Sequence, residues 1–514
     1  MLHVSLYVEG LRSRPAVMFW LAALIQAAIW WLLPSIFYSA PPGALPDVLA
    51  VGHELQLGTD LGPPLAFWLA EAAYDIFGIV GVYLLSQICI VATYWAVFSL
   101  GRLIVGAQQA AMAVLLMVGI TVMTVPSPDF GPAILGMALS ALAVLHLWRA
   151  IGRKERHCWF ILALDIGLLL LTTYAGLILF ACVMTFLWAT ERGRAALQSL
   201  EPWFAALVVA VLLFPHLIWL DISGRAAFGP VWERLHSSEA AATNWLDWSR
   251  LIVGILITHA GLLVLVSIGA GWWLKAQEQM PTFVRPPIDP FARRFVLFFA
   301  IAPVFAATLI AAAVGEPAPA GGAAPYVALS GLAVVVLAGD AIAIHRQRIV
   351  GLAWMLLLLL PPATAVAAII AFPWTVAVEL RSAQPAGEMG KFFGETFERR
   401  TGKPLAIVSG DPRLASLVAM AAPSRPSVYD FAAPVRTPWV TADDIARNGL
   451  IVVWPAREHD TAGAPPADIR ARFPDLVAEV PRAFDHAIQG RLPLARVGWG
   501  MIRPQQAAPA TQQR

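Results

Sequence analysis

Between residues 39 and 65 the sequence places Asp47, His53, Glu54 and Asp60 with no lysine or arginine among them. A carboxylate without a local counter-charge suits a general base, which must lie within hydrogen-bond reach of the proton it takes. His53 and Glu54 could also join Asp60, or Asp129 further on, around a hard divalent cation, although no metal spacing links them. The plainer readings are that Asp47, directly after Pro46, caps the helix that follows, and that His53 and Glu54 are solvated loop residues. Asp129 stands in Pro126-Ser127-Pro128-Asp129-Phe130-Gly131-Pro132, where three prolines fix a tight turn. It either organises a site or ends that turn. Cations come later: Arg225, Arg234 and Arg250 share 221–250 with Trp232, Trp245 and Trp248. A guanidinium forks phosphate bidentately, and cations with aromatics beside a bilayer suit an anionic lipid headgroup. No glycine-rich phosphate loop, Walker motif or zinc spacing occurs, so nucleotide-driven transport has no support.

The chain that must position these residues is mostly lipid-soluble. Of 514 residues 59% are hydrophobic and 13% charged, against about 45–50% and 25% for a soluble domain, so a soluble globule is excluded. The net charge of +2 is too small to argue for nucleic acid. Cys89, Cys158 and Cys182 all fall in apolar runs, which supports neither a disulfide framework nor a cysteine metal site. The composition breaks near residue 373: 37 of 372 residues before it are charged and 31 of 142 after it. The second fraction is normal for a water-facing domain, so the boundary predicts a transmembrane domain over 1–372 and a soluble domain over 373–514.

Apolar runs long enough for about 30 Å of hydrocarbon lie at 17–38, 79–100, 107–125 and 133–148. The run 158–190 has basic flanks on both sides and predicts two short helices turning near Thr172, Thr173 and Tyr174. Further spans at 203–220, 251–273, 295–313, 326–344 and 349–372 give about eleven transmembrane helices. With the N-terminus cytoplasmic, fifteen basic residues lie inside and three outside, which puts residues 373–514 outside the cytoplasm. The apolar core of the first run exceeds the usual signal-peptide length of about 7–15 residues, so it reads as an uncleaved anchor. Pro63-Pro64 suits a helix start; the predicted helix 65–77 carries Glu71 and Asp75 on one face, lies along the interface and turns inward at Gly78. Asp165 falls near mid-membrane, where an ionisable group is costly; a hydrogen bond to a neighbouring helix is the preferred reading. His146, His216 and His259 read as packed, neutral residues.

The tail alternates: a helix at 387–400, strands at 405–409, 427–429 and 450–454, and helices at 413–420 and 442–447, with 494–502 as an edge strand. That order predicts a small α/β domain with parallel pairing, acting as a lid or docking element.

The acidic first outer loop followed by Pro63-Pro64-Leu65 and an aromatic-rich helix resembles the GT-C superfamily of lipid-linked-sugar glycosyltransferases. The resemblance is to its bacterial branch, related to protein mannosyltransferases, aminoarabinose transferases and rhizobial lipopolysaccharide transferases. It runs through Pro46-Asp47, Gly52-His53-Glu54, Ser127-Pro128-Asp129, Leu171-Thr172-Thr173-Tyr174 and Phe214-Pro215-His216, over roughly 15–225. It implies Asp47 as the catalytic base, with His53, Glu54, Asp129, Tyr174, Arg225 and Arg234 around the substrates. It further implies an inverting transfer from a polyprenyl-phosphate sugar to a cell-envelope lipid or glycan, at the periplasmic face of a bacterial inner membrane. The spacing of the residues supports no cofactor, a divalent metal being the one alternative. The family's His-Pro-Pro is Gly62-Pro63-Pro64 here, and the lysine of its Thr-Lys-Tyr is Thr173. The phosphate then falls to Arg225, Arg234 or Arg250, or the chain is an inactive scaffold. A lipid or sugar carrier is the other alternative; the absence of an internal repeat, and unusual residues confined to outer loops, disfavour it.

Overall fold

In hydrocarbon every backbone polar group must be satisfied within its own segment, and the apolar runs of this chain accordingly form helices. A computed structural model describes residues 9–10, 12–236, 245–272, 281–456 and 463–505, with the backbone alone over 224–236. In chain order the helices are α1 (Pro15–Phe37), α2 (Leu45–His53), α3 (Leu65–Ile104), α4 (Ala107–Met117), α5 (Pro132–Gly152), α6 (Cys158–Leu170) and α7 (Gly176–Ala189). Next come α8 (Glu191–Leu197), α9 (Glu201–His236), α10 (Trp245–Thr258), α11 (Ala260–Gly269), α12 (Pro290–Val314), α13 (Ala324–Val327), α14 (Ser330–Leu337) and α15 (Gln347–Thr375). A two-stranded ribbon pairs β1 (Thr282–Val284) with β2 (Ala341–Ala343).

Helix stands at all eleven predicted positions. Among the described residues six helices are long and apolar enough to cross a membrane, and eight if the bent pairs α7/α8 and α10/α11 each count as one. The stretches at α4, α6 and α13–α14 are apolar but shorter, at 10–17 residues. The protein is a multi-pass membrane protein. The predicted run 107–125 shortens to α4 because the chain after it lies against α11: Leu262 N–H donates to Gly119 O at 3.1 Å, and a Cβ on Gly119 would sit 2.3 Å from that nitrogen. The turn expected at Gly78 is present, with φ 63° and ψ −159° inside α3, a conformation open essentially to glycine alone.

The described chain divides into two compact units. The first comprises Met1–Leu33, Leu61–Ala66 and Val80–Ala365. Its core includes Phe19 stacked on Phe98 at 4.5 Å and Phe186 set among Phe291, Phe295, Phe298 and Phe299. Two polar pairs lie inside it: Tyr94 O–H donates to Gln26 at 2.9 Å, and His146 meets Asp165 at 2.6 Å. That is the interhelical bond expected of Asp165.

The second unit comprises Pro34–Asp60, Phe67–Ile79 and Val366–Arg514. The tail supplies α16 (Ala386–Thr401), β3 (Ile407–Gly410), α17 (Pro412–Ala421), β4 (Ser427–Tyr429), α18 (Ala442–Asn448), β5 (Leu450–Pro455), α19 (Ala467–Arg472), β6 (Val477–Phe484) and β7 (Ala495–Ile502). The sheet order is β4-β3-β5-β7-β6, with β3 parallel to β4 and β5, and β7 antiparallel to β5 and β6. Strand β7 therefore lies inside the sheet and not at its edge, because β6 covers it. Strand β6 alternates exposed and half-buried residues and carries Pro481 in its middle, so its sequence lacks the continuous apolar signal of a buried strand. Phe393, Phe397, Val408, Val418, Ile451 and Trp499 form the core on one face of the sheet. Ile407, Val452, Trp454 and Phe473 form it on the other, the arrangement of a layered α/β fold.

Candidate active site

The second unit gathers Pro34–Asp60 and Phe67–Ile79 with the tail. Helix α2 starts with Ala44 as N-cap and Pro46 in the first turn, a position that proline tolerates because its missing N–H would be unpaired there anyway. Asp47 therefore lies inside the helix and does not cap it; its N–H donates to Ala44 O at 3.0 Å. A carboxylate in the first turn is favoured by the helix dipole, and the half-buried side chain stays available. Two bonds anchor the loop: Ser39 and Ala40 N–H both donate to Ser382 O, at 2.8 and 3.1 Å. Ala40 is buried with Ala386 and Leu417. Gly52 brings α2 close to α3, since a Cβ there would lie 2.5 Å from Phe67 O.

The end of α2 meets an ionic network. His53 Nδ1 lies 2.9 Å from Glu71 Oε1, and the other Glu71 oxygen accepts from Arg425 Nη2. Arg425 also donates to Met420 O at 3.2 Å and lies over the Tyr74 ring at 4.4 Å. Glu54 bonds Ser427, while its Oε1 is buried without a partner. Burial pushes the Glu54 carboxyl above its ordinary value, and Ser427 and His53 pull it partly back. Asp60 pairs with Arg436 at 3.2 Å.

Arg413, on α17, belongs to the same unit as Asp47, and α17 packs against α2. Its Nε–H donates to Gln384 Oε1 at 3.3 Å, and its Nη2 is buried without a partner. Burial and the neighbouring Arg381 hold this guanidinium below its ordinary value, while Asp47, Asp411 and Glu379 oppose them. At the parallel end of the sheet a hollow of about 250 Å³ is lined by Asp411, Asp430, Trp454 and Asp468. Asp411 already caps α17 through Leu414 N–H, and Asp430 accepts from Ala432 and Ala433 N–H.

The remaining predicted residues belong to the first unit. Asp129 is half-buried in its proline turn, where its N–H donates to Pro126 O at 3.0 Å. Tyr174 Oη lies 3.3 Å from His216 Nε2. Thr173 accepts from Ala175 N–H at 3.2 Å and is buried, so its hydroxyl closes the turn between α6 and α7. Arg225 and Arg234 fall on α9, and their side chains lie outside the described residues. His53 is thus paired with Glu71, and Asp60 with Arg436. One trio with ligand atoms within 4.8 Å, Glu155, His157 and Cys158, sits between α5 and α6, where Glu155 is paired with Arg149 at 2.7 Å.

Arg413 and Arg425 carry no signal in the sequence. Arg425 and Glu71 are 354 positions apart, and nothing in Ser424-Arg425-Pro426 announces a partner so distant in the chain.

The architecture has known counterparts. Over 95% of this chain and 97% of the other, the structure superposes on ArnT from Cupriavidus metallidurans bound to undecaprenyl phosphate, with a TM-score of 0.61 and 12% identity. The chain has the GT-C fold. Residues 62–219 match the family model for dolichyl-phosphate-mannose-protein mannosyltransferase, the segment that holds the proline pair, the Asp129 turn and the Tyr174 turn. The archaeal oligosaccharyltransferase AglB from Archaeoglobus fulgidus, in complex with an inhibitory peptide and a dolichol-phosphate, is a more distant likeness. There the TM-score is 0.43 and the identity 14%, over 81% of this chain and 64% of that one. No curated protein sequence matches this one.

Proposed function

We propose that this GT-C protein is an inverting glycosyltransferase that moves a sugar from a polyprenyl-phosphate donor to an envelope lipid or glycan. The proposed location is the periplasmic face of a bacterial inner membrane, with the N-terminus cytoplasmic and residues 373–514 outside. The observation that carries this reading is Asp47, half-buried in the first turn of α2, which packs against the helix that bears Arg413. A base for the acceptor hydroxyl and a cation for the departing phosphate are the two groups such a transfer needs.

In the step, the acceptor oxygen attacks the anomeric carbon and its proton passes to Asp47. The bond from the anomeric carbon to the donor phosphate oxygen breaks, and its electron pair leaves with the phosphate. One displacement inverts the centre. His53 and Glu71 tie the end of α2 to α3, and α2 packs on β4, which supports a fixed position for the helix that carries Asp47. Support also comes from the mannosyltransferase family model over 62–219 and from the undecaprenyl phosphate bound by ArnT. The proposed reaction needs no cofactor; loss of transfer on chelation, restored by a divalent metal, overturns that part. The test is transfer from a lipid-linked sugar in membranes containing the protein. Activity that disappears in Asp47→Asn supports the reading, and an unmutated protein inert toward every donor favours the inactive scaffold.

A further inference from the structure

We infer that the hollow at the carboxyl ends of β3, β4 and β5 binds one neutral sugar residue, at a site that Asp47 does not line and that the tail alone supplies. In an open sheet with parallel strands, ligands sit beyond the carboxyl ends, where neighbouring strands send the chain in opposite directions. Here β3 leads through α17 to β4 on one flank, while β5, on the other flank, leads through α19 away toward β6. The gap between β3 and β5 is that point. The hollow of about 250 Å³ opens there, with Gly410, Asp411, Asp430, Phe431, Trp454 and Asp468 in its walls.

Local backbone geometry holds these walls in place. Gly410, at φ 118°, brings the end of β3 against β5, since a Cβ there would collide with Val453 O; Asp411 N–H donates to that same oxygen at 2.8 Å. The buried Trp454 indole lies across Gly498, where a Cβ would strike its Nε1. Two of the carboxylates are fixed by the backbone at one oxygen each. Asp411 Oδ1 accepts from Leu414 N–H at 3.0 Å, and Asp430 Oδ1 accepts from Ala432 and Ala433 N–H, both at 3.0 Å. A carboxylate has two acceptor oxygens, so the second oxygen of each remains for a hydroxyl.

The charges select among ligands. Among the described residues no lysine or arginine lines the hollow, which disfavours a phosphate even though α17 starts there. A bound cation is disfavoured too. Arg436 lies 3.8 Å from Asp430, and Arg413 interacts electrostatically with Asp411, so two of the three negative charges are offset. Among the described residues Asp411, Asp430 and Asp468 do not bring one oxygen each within 4.8 Å of one another, too wide a spread for the shell of about 2.3–2.6 Å around a calcium ion. The volume equals on the order of eight waters at about 30 Å³ each, small for a drug-sized ligand. One pyranose suits it: the hydroxyls donate to the carboxylates, and the C–H face meets the apolar wall of Phe431 and Trp454.

The test is saturation-transfer NMR on full-length protein in lipid nanodiscs. The neutral probes are methyl α-glucoside, methyl α-mannoside and methyl β-galactoside, with glucuronate as the anionic control. At least one neutral probe should bind more tightly than glucuronate, and a calcium chelator should not change that. Asparagine keeps both the helix cap and the turn bonds, so Asp411→Asn and Asp430→Asn should stay folded by melting temperature. Each should weaken the sugar by about fivefold or more, the difference between a charged and a neutral acceptor. Ala432→Trp, at an exposed position in the wall, fills the hollow and should abolish binding, a result that does not depend on either asparagine variant. Asp47→Asn should bind the sugar as the unmutated protein does, which separates this site from the proposed transfer. No binding of any neutral probe overturns the inference, as do binding that needs calcium, a preference for glucuronate, or full affinity in folded Ala432→Trp.

Discussion

Glu71 and Arg425 hold the helical arm of α3 to the α/β tail within the second unit, and breaking that pair should be expensive. Their side chains are 5% and 15% exposed. That places the pair among buried ion pairs, not surface ones, whose contribution is typically about 0–1 kcal/mol. Removing one member of a buried pair costs about 3–5 kcal/mol, because the other charge is left uncompensated, whereas removing both costs much less. Each kilocalorie moves the melting temperature of a domain of 150–250 residues by about 2–4 °C. Glu71→Gln or Arg425→Met alone should therefore lower the transition of the second unit by about 6–20 °C. The double variant should melt above either single one. His53, 41% exposed on its side chain, should contribute far less, so His53→Ala should shift the transition by about 1 kcal/mol or under. The assay is a double-mutant cycle by thermal unfolding of the full chain in detergent. Single effects that add to within about 0.5 kcal/mol would mean that the two groups are not coupled, and the described network would be wrong.

Two further outcomes follow from local geometry. Gly78→Ala should destabilise the protein by about 1–3 kcal/mol. A Cβ there meets nothing within 4 Å, so the loss is backbone strain alone, and an unchanged melting temperature removes the kink from the account. Glu54, raised above the ordinary value of a glutamate by burial, favours its neutral form in the folded state. Its contribution is complete below that value and is lost as pH rises through the folded pKa. Glu54→Gln should therefore melt above the unmutated protein at pH 7, and the gap should shrink as the pH falls toward 4.5; a gap independent of pH contradicts this.

How much of this could be read in advance differs between the elements. Apolar runs are local signals, and before residue 373 a helix stands in each of the long ones; Gly78 and the proline pair likewise marked the bend and start of α3. Lengths were less legible, because α4 stops where Gly119 lets the chain approach α11, a contact between segments far apart in sequence. In the tail, β3, β4 and β5 were visible as apolar runs, while β6 was not, its run interrupted by Glu479, Pro481 and Arg482. Asp47 stood out for its type and for the absence of nearby cations. The hollow of the tail did not, because Asp411, Asp430 and Asp468 belong to three segments that only the folded sheet brings together.

The most direct measurement is single-turnover sugar transfer from a polyprenyl-phosphate donor by Asp47→Asn, alongside its binding of undecaprenyl phosphate. Loss of a positioned general base should slow transfer by about 10²–10⁴-fold with donor affinity unchanged. Transfer within a few fold of the unmutated rate, in a protein that still binds the lipid, would contradict the role given to Asp47.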